Sequence, residues 1–238
     1  MDDTRSRFIR EKARDLAVEV FRLRYEIWPS QPPPPLEMIE PSIIAKVLKV
    51  RYHEPAEIVA LSTEIPGVAL PMRFAGYMDP LTNTVAVARN LPFEMARFTG
   101  AHELGHFLLH KDKKILYRDL PLSGDERGDR HRPPVEQEAD LFAAELLMPE
   151  KIVRQTFLHY FHKERFHGKP NEEMAHWLST SHHEVTPSKL EARGRRYLAL
   201  LLANSAPWTA ERGAPNLAQL FRVSKMAMAI QLESLELI

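Results

Sequence analysis

Two histidines four residues apart, with a glutamate beside the first, stand in the run His102-Glu103-Leu104-Gly105-His106, the arrangement H-E-x-x-H. Residues four apart on an α-helix lie about 40° apart around its axis, so both imidazoles face one point and can take two corners of a zinc tetrahedron. Glu103 can then reach a water beside the metal without itself coordinating. Zinc lowers the pKa of such a water to about 7, and the carboxylate takes its proton as the water attacks a polarised peptide carbonyl. The expected chemistry is hydrolysis of a peptide bond in a protein substrate, with Glu103 as general base and one Zn2+ per chain. Five residues with two free positions can arise by chance on a solvated helix. Here the neighbours Phe98, Leu104, Phe107, Leu108 and Leu109 are those of a buried helix, and Gly105 lets another segment come close.

Catalytic zinc takes three protein ligands and keeps a fourth position open. The extended motif that supplies a third histidine needs Gly and His where this chain has Leu109 and Asp112. The ligand must come from elsewhere, and the run Glu136-Gln137-Glu138-Ala139-Asp140 offers it. Glu136 and Asp140 are one helical turn apart on a shared face. Glu136 closes the metal site, while Asp140 accepts the second ring N–H of a ligating histidine and fixes its tautomer. Small Ala139 and Ala143 let the two helices approach. Glu138 is the rival, but it points about 200° away from Glu136, so only one of them faces the metal. Glu136 is preferred because it alone has an acidic partner at i+4. His110 shares the face of His102 and His106 yet sits about 6 Å of helix rise beyond His106, which places it at the cleft edge. Tyr117 and His131 flank the intervening loop and are candidates for stabilising an oxyanion.

These side chains need elements to hold them. Helical spacing runs from Arg5 to Trp28, after which Pro29 and the run Pro32 to Pro35 end the helix and form a stiff linker. Pro41 can open a second helix. Two strands, Arg73 to Tyr77 and Thr84 to Val87, are joined by a turn at Asp79, Pro80 and Asn83. The second strand, short and apolar, is expected at a sheet edge where an extended peptide could add by strand pairing. From Pro92 a helix carries Met95, Phe98, Leu104, Phe107 and Leu108 at spacing that buries one face. The segment Arg118 to Pro134 reads as a loop, a helix follows from about Val135 to Met148, and the rest is helical with breaks near residues 168–171, 179–187 and 204–215. The expected fold is α+β: residues 1–35 as helix and linker, 36–150 as a metallopeptidase domain with a small antiparallel-containing sheet packed on helices, and 151–238 as a helical region.

Composition sets outer limits. The 238 residues are 44% hydrophobic and 27% charged, an ordinary globular balance. Lys plus Arg and Asp plus Glu are 32 each, so no global field draws the chain to nucleic acid. No cysteine is present, so a metal must be held by His and carboxylate. The first helix lacks the apolar core of a signal peptide and no later run reaches membrane-spanning length, which points to a cytoplasmic protein.

The run His102-Glu103-Leu104-Gly105-His106-Phe107-Leu108-Leu109-His110, followed by Glu136 to Pro149 (EQEADLFAAELLMP), strongly resembles the ImmA/IrrE family of zinc metallopeptidases. The resemblance covers about residues 39–148 and, more weakly, Leu217 to Met228, which is similar to that family's helix-turn-helix-like ending. It implies a zincin-like fold, zinc on His102, His106 and Glu136, and Glu103 as base. It also implies a substrate among the DNA-binding repressors of phage, mobile-element or stress-response genes. The chain departs from the family pattern in its long His- and Arg-rich stretch between Met148 and Pro215.

Two readings from other classes compete with this one. A DNA-binding regulator would read a groove with the helix from Lys225 to Leu235, whose outward residues are taken to be Met226, Met228, Gln231 and Glu233. They offer few cations for phosphate contact, so direct nucleic-acid binding is not expected. A partner-docking module with a merely structural metal would need no base, yet Glu103 is in place.

Overall fold

A computed structural model describes residues 2–65, 68–111, 116–119, 133–166, 168–182, 184–208 and 213–238, with side chains described for these except 61–65, 68–71, 116–119, 180 and 181. The chain divides into two compact units, Met1–Leu147 and Met148–Ile238.

In the first unit, α1 (Asp3–Arg22) starts where the Asp2 side chain accepts from the Arg5 backbone N–H, and it buries Ile9, Ala13, Leu16 and Val20 along one stripe. Two single turns, α2 (Arg24–Ile27) and α3 (Pro35–Met38), lead to α4 (Pro41–Val47), opened by its proline as the sequence suggests. Strands β1 (Arg51–His53), β2 (Ile58–Ile65), β3 (Val68–Asp79) and β4 (Thr84–Val87) follow. The turn between β3 and β4 is held by Asp79, whose carboxylate accepts from Leu81 N at 3.0 Å and from the Thr82 hydroxyl at 2.6 Å.

Among the described residues the sheet has five strands, in the order β1-β4-β3-β2 with β5 (Leu116–Asp119) also pairing β3. It is mixed: β4 runs antiparallel to β3 and parallel to β1. The edge position expected for β4 is therefore wrong. Its four residues are all buried, the pattern of a strand covered on both faces, and its second partner β1 comes from about thirty residues upstream, where period-2 alternation is too short to read. Likewise Arg118 and Asp119, read as loop, pair with Gly76 and Phe74 in β5.

Among the described residues this unit also holds the helices α5 (Phe93–Leu109) and α6 (Pro134–Leu147). Contrary to the one-faced pattern read from its apolar spacing, α5 is buried on every side from Thr99 to Phe107. It lies against β3 and β4 on one side and α6 on the other. Its first turns are anchored by Arg97, which is 3% exposed and donates to Glu40 Oε1 at 3.1 Å and to the carbonyls of Leu36 and Ile39. α6 in turn packs on α1, where Glu145, its side chain fully buried, accepts from Arg10 at 3.0 Å and Arg14 at 2.8 Å. A buried carboxylate stripped of its cations is costly, so Arg10→Ala with Arg14→Ala is expected to destabilise the unit by about 3–5 kcal/mol in chemical denaturation. Glu145→Met, which frees both arginines to solvent, should be far milder. Equal losses in the two proteins would refute this account.

The second unit is helical: α7 (Glu150–Phe161), α8 (Glu172–Ser181), α9 (Pro187–Ala203), α10 (Leu217–Leu220) and α11 (Lys225–Ser234). Phe157, Phe161 and Trp177 meet edge to face, with centroids 4.6 and 5.0 Å apart. The C-terminal pair is a single turn, then Phe221 to Ser224 with Arg222 at φ 55°, then α11. Two residues of α11 read as outward are inward. Met228 is 0% exposed, and Gln231 is buried with its amide donating to Met148 O at 2.9 Å. No helix among the described residues is long and apolar enough to cross a membrane.

His182 makes this unit sensitive to acid. Burial pushes its imidazole below the ordinary value and the Lys225 charge adds to this, against the hydrogen bond to Leu201 O. As pH falls through the unfolded value of about 6.5, the unfolded chain takes up a proton before the folded one does, so stability drops until the lower folded value is passed. Urea midpoints followed by tryptophan fluorescence should fall between about pH 7.5 and about pH 5.5, and His182→Gln should remove part of that fall. An identical pH dependence in the variant would refute the assignment.

Candidate metal centre

The geometry of the centre begins with two glycines. A Cβ at Gly76 of β3 would lie 2.7 Å from Thr99 Cγ2 and 3.1 Å from Glu103 Cγ, so the bare backbone there lets α5 sit down on the sheet. A Cβ at Gly105 would meet the Phe142 ring at 3.0 Å and Ala139 Cα at 3.3 Å, which places α6 close against the other side of α5. His102 and Glu103 are fully buried between these contacts, and His106 is 1% exposed.

His102 Nε2 lies 3.2 Å from Glu136 Oε2, and His106 Nε2 lies 3.2 Å from Glu136 Oε1. One ligand atom from each of the three residues falls within 4.8 Å of the others. With bonds near 2.0–2.1 Å, the edge of a zinc tetrahedron is about 3.3 Å, so both His–Glu136 spacings match those of a tetrahedral ion. Burial alone raises the Glu136 carboxyl pKa, but hydrogen bonds from His102 and His106 and their charges outweigh it and hold the group far below the usual carboxylate range. The first turn of α6 also favours an anion at this position.

Asp140 is 2.9 Å from His102 Nδ1, the ring nitrogen turned away from the donor cluster. His110 does not stand at a cleft edge as its helix rise suggested. It caps α5 with its backbone N–H on His106 O, is 4% exposed, and turns its ring back so that its Nδ1 is 3.0 Å from His106 Nδ1. Its Nε2 is 3.0 Å from Glu138 Oε2, and Glu138 pairs with Arg5 of α1 at 2.5 Å. Burial lowers the His110 pKa more than Glu138 raises it, so the ring is biased to the neutral form, while Arg5 first and His110 second keep Glu138 ionised. Tyr117 pairs by its backbone with Tyr77 in β5, its side chain outside the described set, and His131 lies outside the described residues.

Sequence reasoning missed Arg5, Arg97 and Tyr52. Burial, then the charges of Glu54, Glu40 and Glu103, push the Tyr52 hydroxyl well above its ordinary value, so β1 presents a neutral phenol within electrostatic reach of Glu103. Arg5 and Arg97 pair with Glu138 and Glu40, far away in sequence, so no local pattern marks them.

A glutamate and two imidazoles on a helix laid over a mixed sheet, meeting a carboxylate from the helix behind, form the arrangement expected of a zincin-type metallopeptidase domain. Residues 69–179, just under half of the chain, match the family described as the IrrE N-terminal-like domain. Over 100 residues the chain is 30% identical to the radiation response metalloprotease IrrE of Deinococcus radiodurans, a stretch that is 40% of this chain and 30% of that protein. The chain thus spans under a third of the length of that curated relative.

Proposed function

We propose that the protein is a zinc-dependent endopeptidase that cleaves a protein substrate as an act of regulation. The observation that carries this reading is the pair of imidazole nitrogens, each 3.2 Å from a different oxygen of Glu136, with Glu103 buried beside them. His102, His106 and Glu136 would hold the ion. When bound, zinc supplies a Lewis acid that acidifies water and polarises a peptide carbonyl.

The rest of the chemistry falls to the chain. Glu103 takes a proton from the attacking water and delivers it to the leaving amine. Asp140 and His110 hold the two ligand rings by their outer nitrogens, so that neither imidazole turns away. Gly76 and Gly105 set how far the base and the ligands stand from the sheet and from α6. The resemblance to the ImmA/IrrE peptidases favours a DNA-binding repressor as substrate and a cytoplasmic setting. Direct contact with DNA is not part of this reading: of the outward residues of α11, Met226 and Ile230 are apolar and Glu233 is paired with Arg196.

The test is to incubate the zinc-loaded protein with repressors encoded beside it and to follow cleavage with and without chelator. Cleavage that survives removal of the metal would overturn the zinc-dependent reading, and no cleavage of any partner the protein binds would turn it toward a docking module.

A further inference from the structure

His102 and His106 are supported in different ways. His102 meets a carboxylate directly, Asp140 at 2.9 Å. His106 meets another imidazole, and only that one reaches a carboxylate. His106 Nε2 faces Glu136 Oε1 at 3.2 Å, so when that nitrogen takes part in metal binding the proton of the ring sits on Nδ1. That N–H donates to His110 Nδ1 at 3.0 Å, which must be bare to accept it. His110 therefore carries its own proton on Nε2 and donates it to Glu138 Oε2, 3.0 Å away. Glu138 accepts in the same oxygen from the Arg5 guanidinium at 2.5 Å. Each link leaves one tautomer for the next.

We propose that His110, Glu138 and Arg5 are positioning residues for the ligand His106, forming a relay that makes the N-terminal helix α1 part of the metal centre. The inference rests on the metal-site reading above. Burial supports it: the side chains of His110 and Glu138 are 5% and 15% exposed, so the middle of the relay is shielded from competing water. The fold supports it too. α1 is fastened along α6 by Arg10 and Arg14 on Glu145 as well as by Arg5 on Glu138, so the far end of the relay is itself fixed. It also gives Glu138 a role. Pointing away from Glu136, it orients the second ligand from behind while Glu136 faces the metal.

The simpler view is that Arg5–Glu138 is an ordinary ion pair and His110 an ordinary helix cap. Zinc affinity by chelator competition, with urea unfolding of the metal-free proteins as a control for folding, separates the two. Loss of groups that orient a metal ligand typically weakens metal binding about 10- to 100-fold, and His110→Ala and Glu138→Ala are each expected to fall in that range. Glu138→Gln keeps an oxygen for the His110 N–H and should restore most of the affinity, although it loses the charge that pairs with Arg5. An ion pair alone would be broken equally by Ala and Gln. Arg5→Met should weaken binding less than Glu138→Ala.

A second measurement needs no substitution. In the zinc-loaded wild type, 15N-histidine NMR should find the protons on His106 Nδ1 and His110 Nε2. A proton on His110 Nδ1 overturns the relay, as does zinc binding in His110→Ala and Glu138→Ala as tight as in wild type. A wild-type protein that holds no zinc, or a His102→Ala variant that holds it unchanged, overturns the metal-site reading and the relay with it.

Discussion

Loaded with zinc, Glu103→Gln should cleave a true substrate about 10² to 10⁴ times more slowly than wild type, the range that general acid–base assistance commonly supplies. The substitution keeps the size of the side chain, which matters because Glu103 is fully buried and its Cγ lies close to the backbone of Gly76. Packing should survive, and so should zinc content, since the glutamate is not among the three donors gathered at Glu136. A single-turnover cleavage assay run beside a binding measurement reads the two effects separately. A rate matching wild type would remove Glu103 from the role of base, and a matching loss of substrate affinity would show that it acts in binding.

The second large effect concerns the metal itself. Wild-type protein should carry about one zinc per chain, and His106→Ala and Glu136→Ala should each lose most of it, because a catalytic site has only three protein ligands to begin with. Elemental analysis after dialysis gives the direct answer. Thermal unfolding gives an independent one: a ligand present at 100 times its dissociation constant adds about 2.7 kcal/mol to the folded state, so chelator should lower the wild-type melting temperature. In the two variants the curves with and without chelator should coincide. Retained zinc in both would mean that the ion sits elsewhere.

The centre was legible in the sequence to the extent that its logic is local. H-E-x-x-H is a statement about one helix face, and the pairing of Glu136 with Asp140 is a statement about another. The structure brings those residues together, with Glu136 against both ligand rings and Asp140 against His102. What escaped was set by remote partners. β4 looked like an edge because nothing in Thr84 to Val87 announces a parallel neighbour at Arg51 to His53. Nothing local marks Arg97 and Glu145 as buried, since a lone charge in a helix is usually solvated. His110 was placed by helix rise alone, which says how far its Cα stands from His106 but not that the helix ends there and lets the ring turn back. The inward turn of Met228 and Gln231 depends on packing within the second unit that no local spacing announces.

The two glycines bear on whether such a centre can be moved. Transplanted onto another helix, the five residues from His102 to His106 would carry the ligands and the base but not the clearances they depend on. The distance from base to sheet is set by the hydrogen that stands for a side chain at Gly76, and the fit of α5 on α6 by the small face of Ala139 beside the Phe142 ring. A host with a methyl group at the Gly76 place, or a side chain bulkier than that of Ala139 on the facing helix, would push the helix out by a few tenths of an ångström or more. That displacement is comparable to the roughly 0.5 Å tolerance within which a designed site must be held. The portable unit is therefore the motif together with the two surfaces that enclose it.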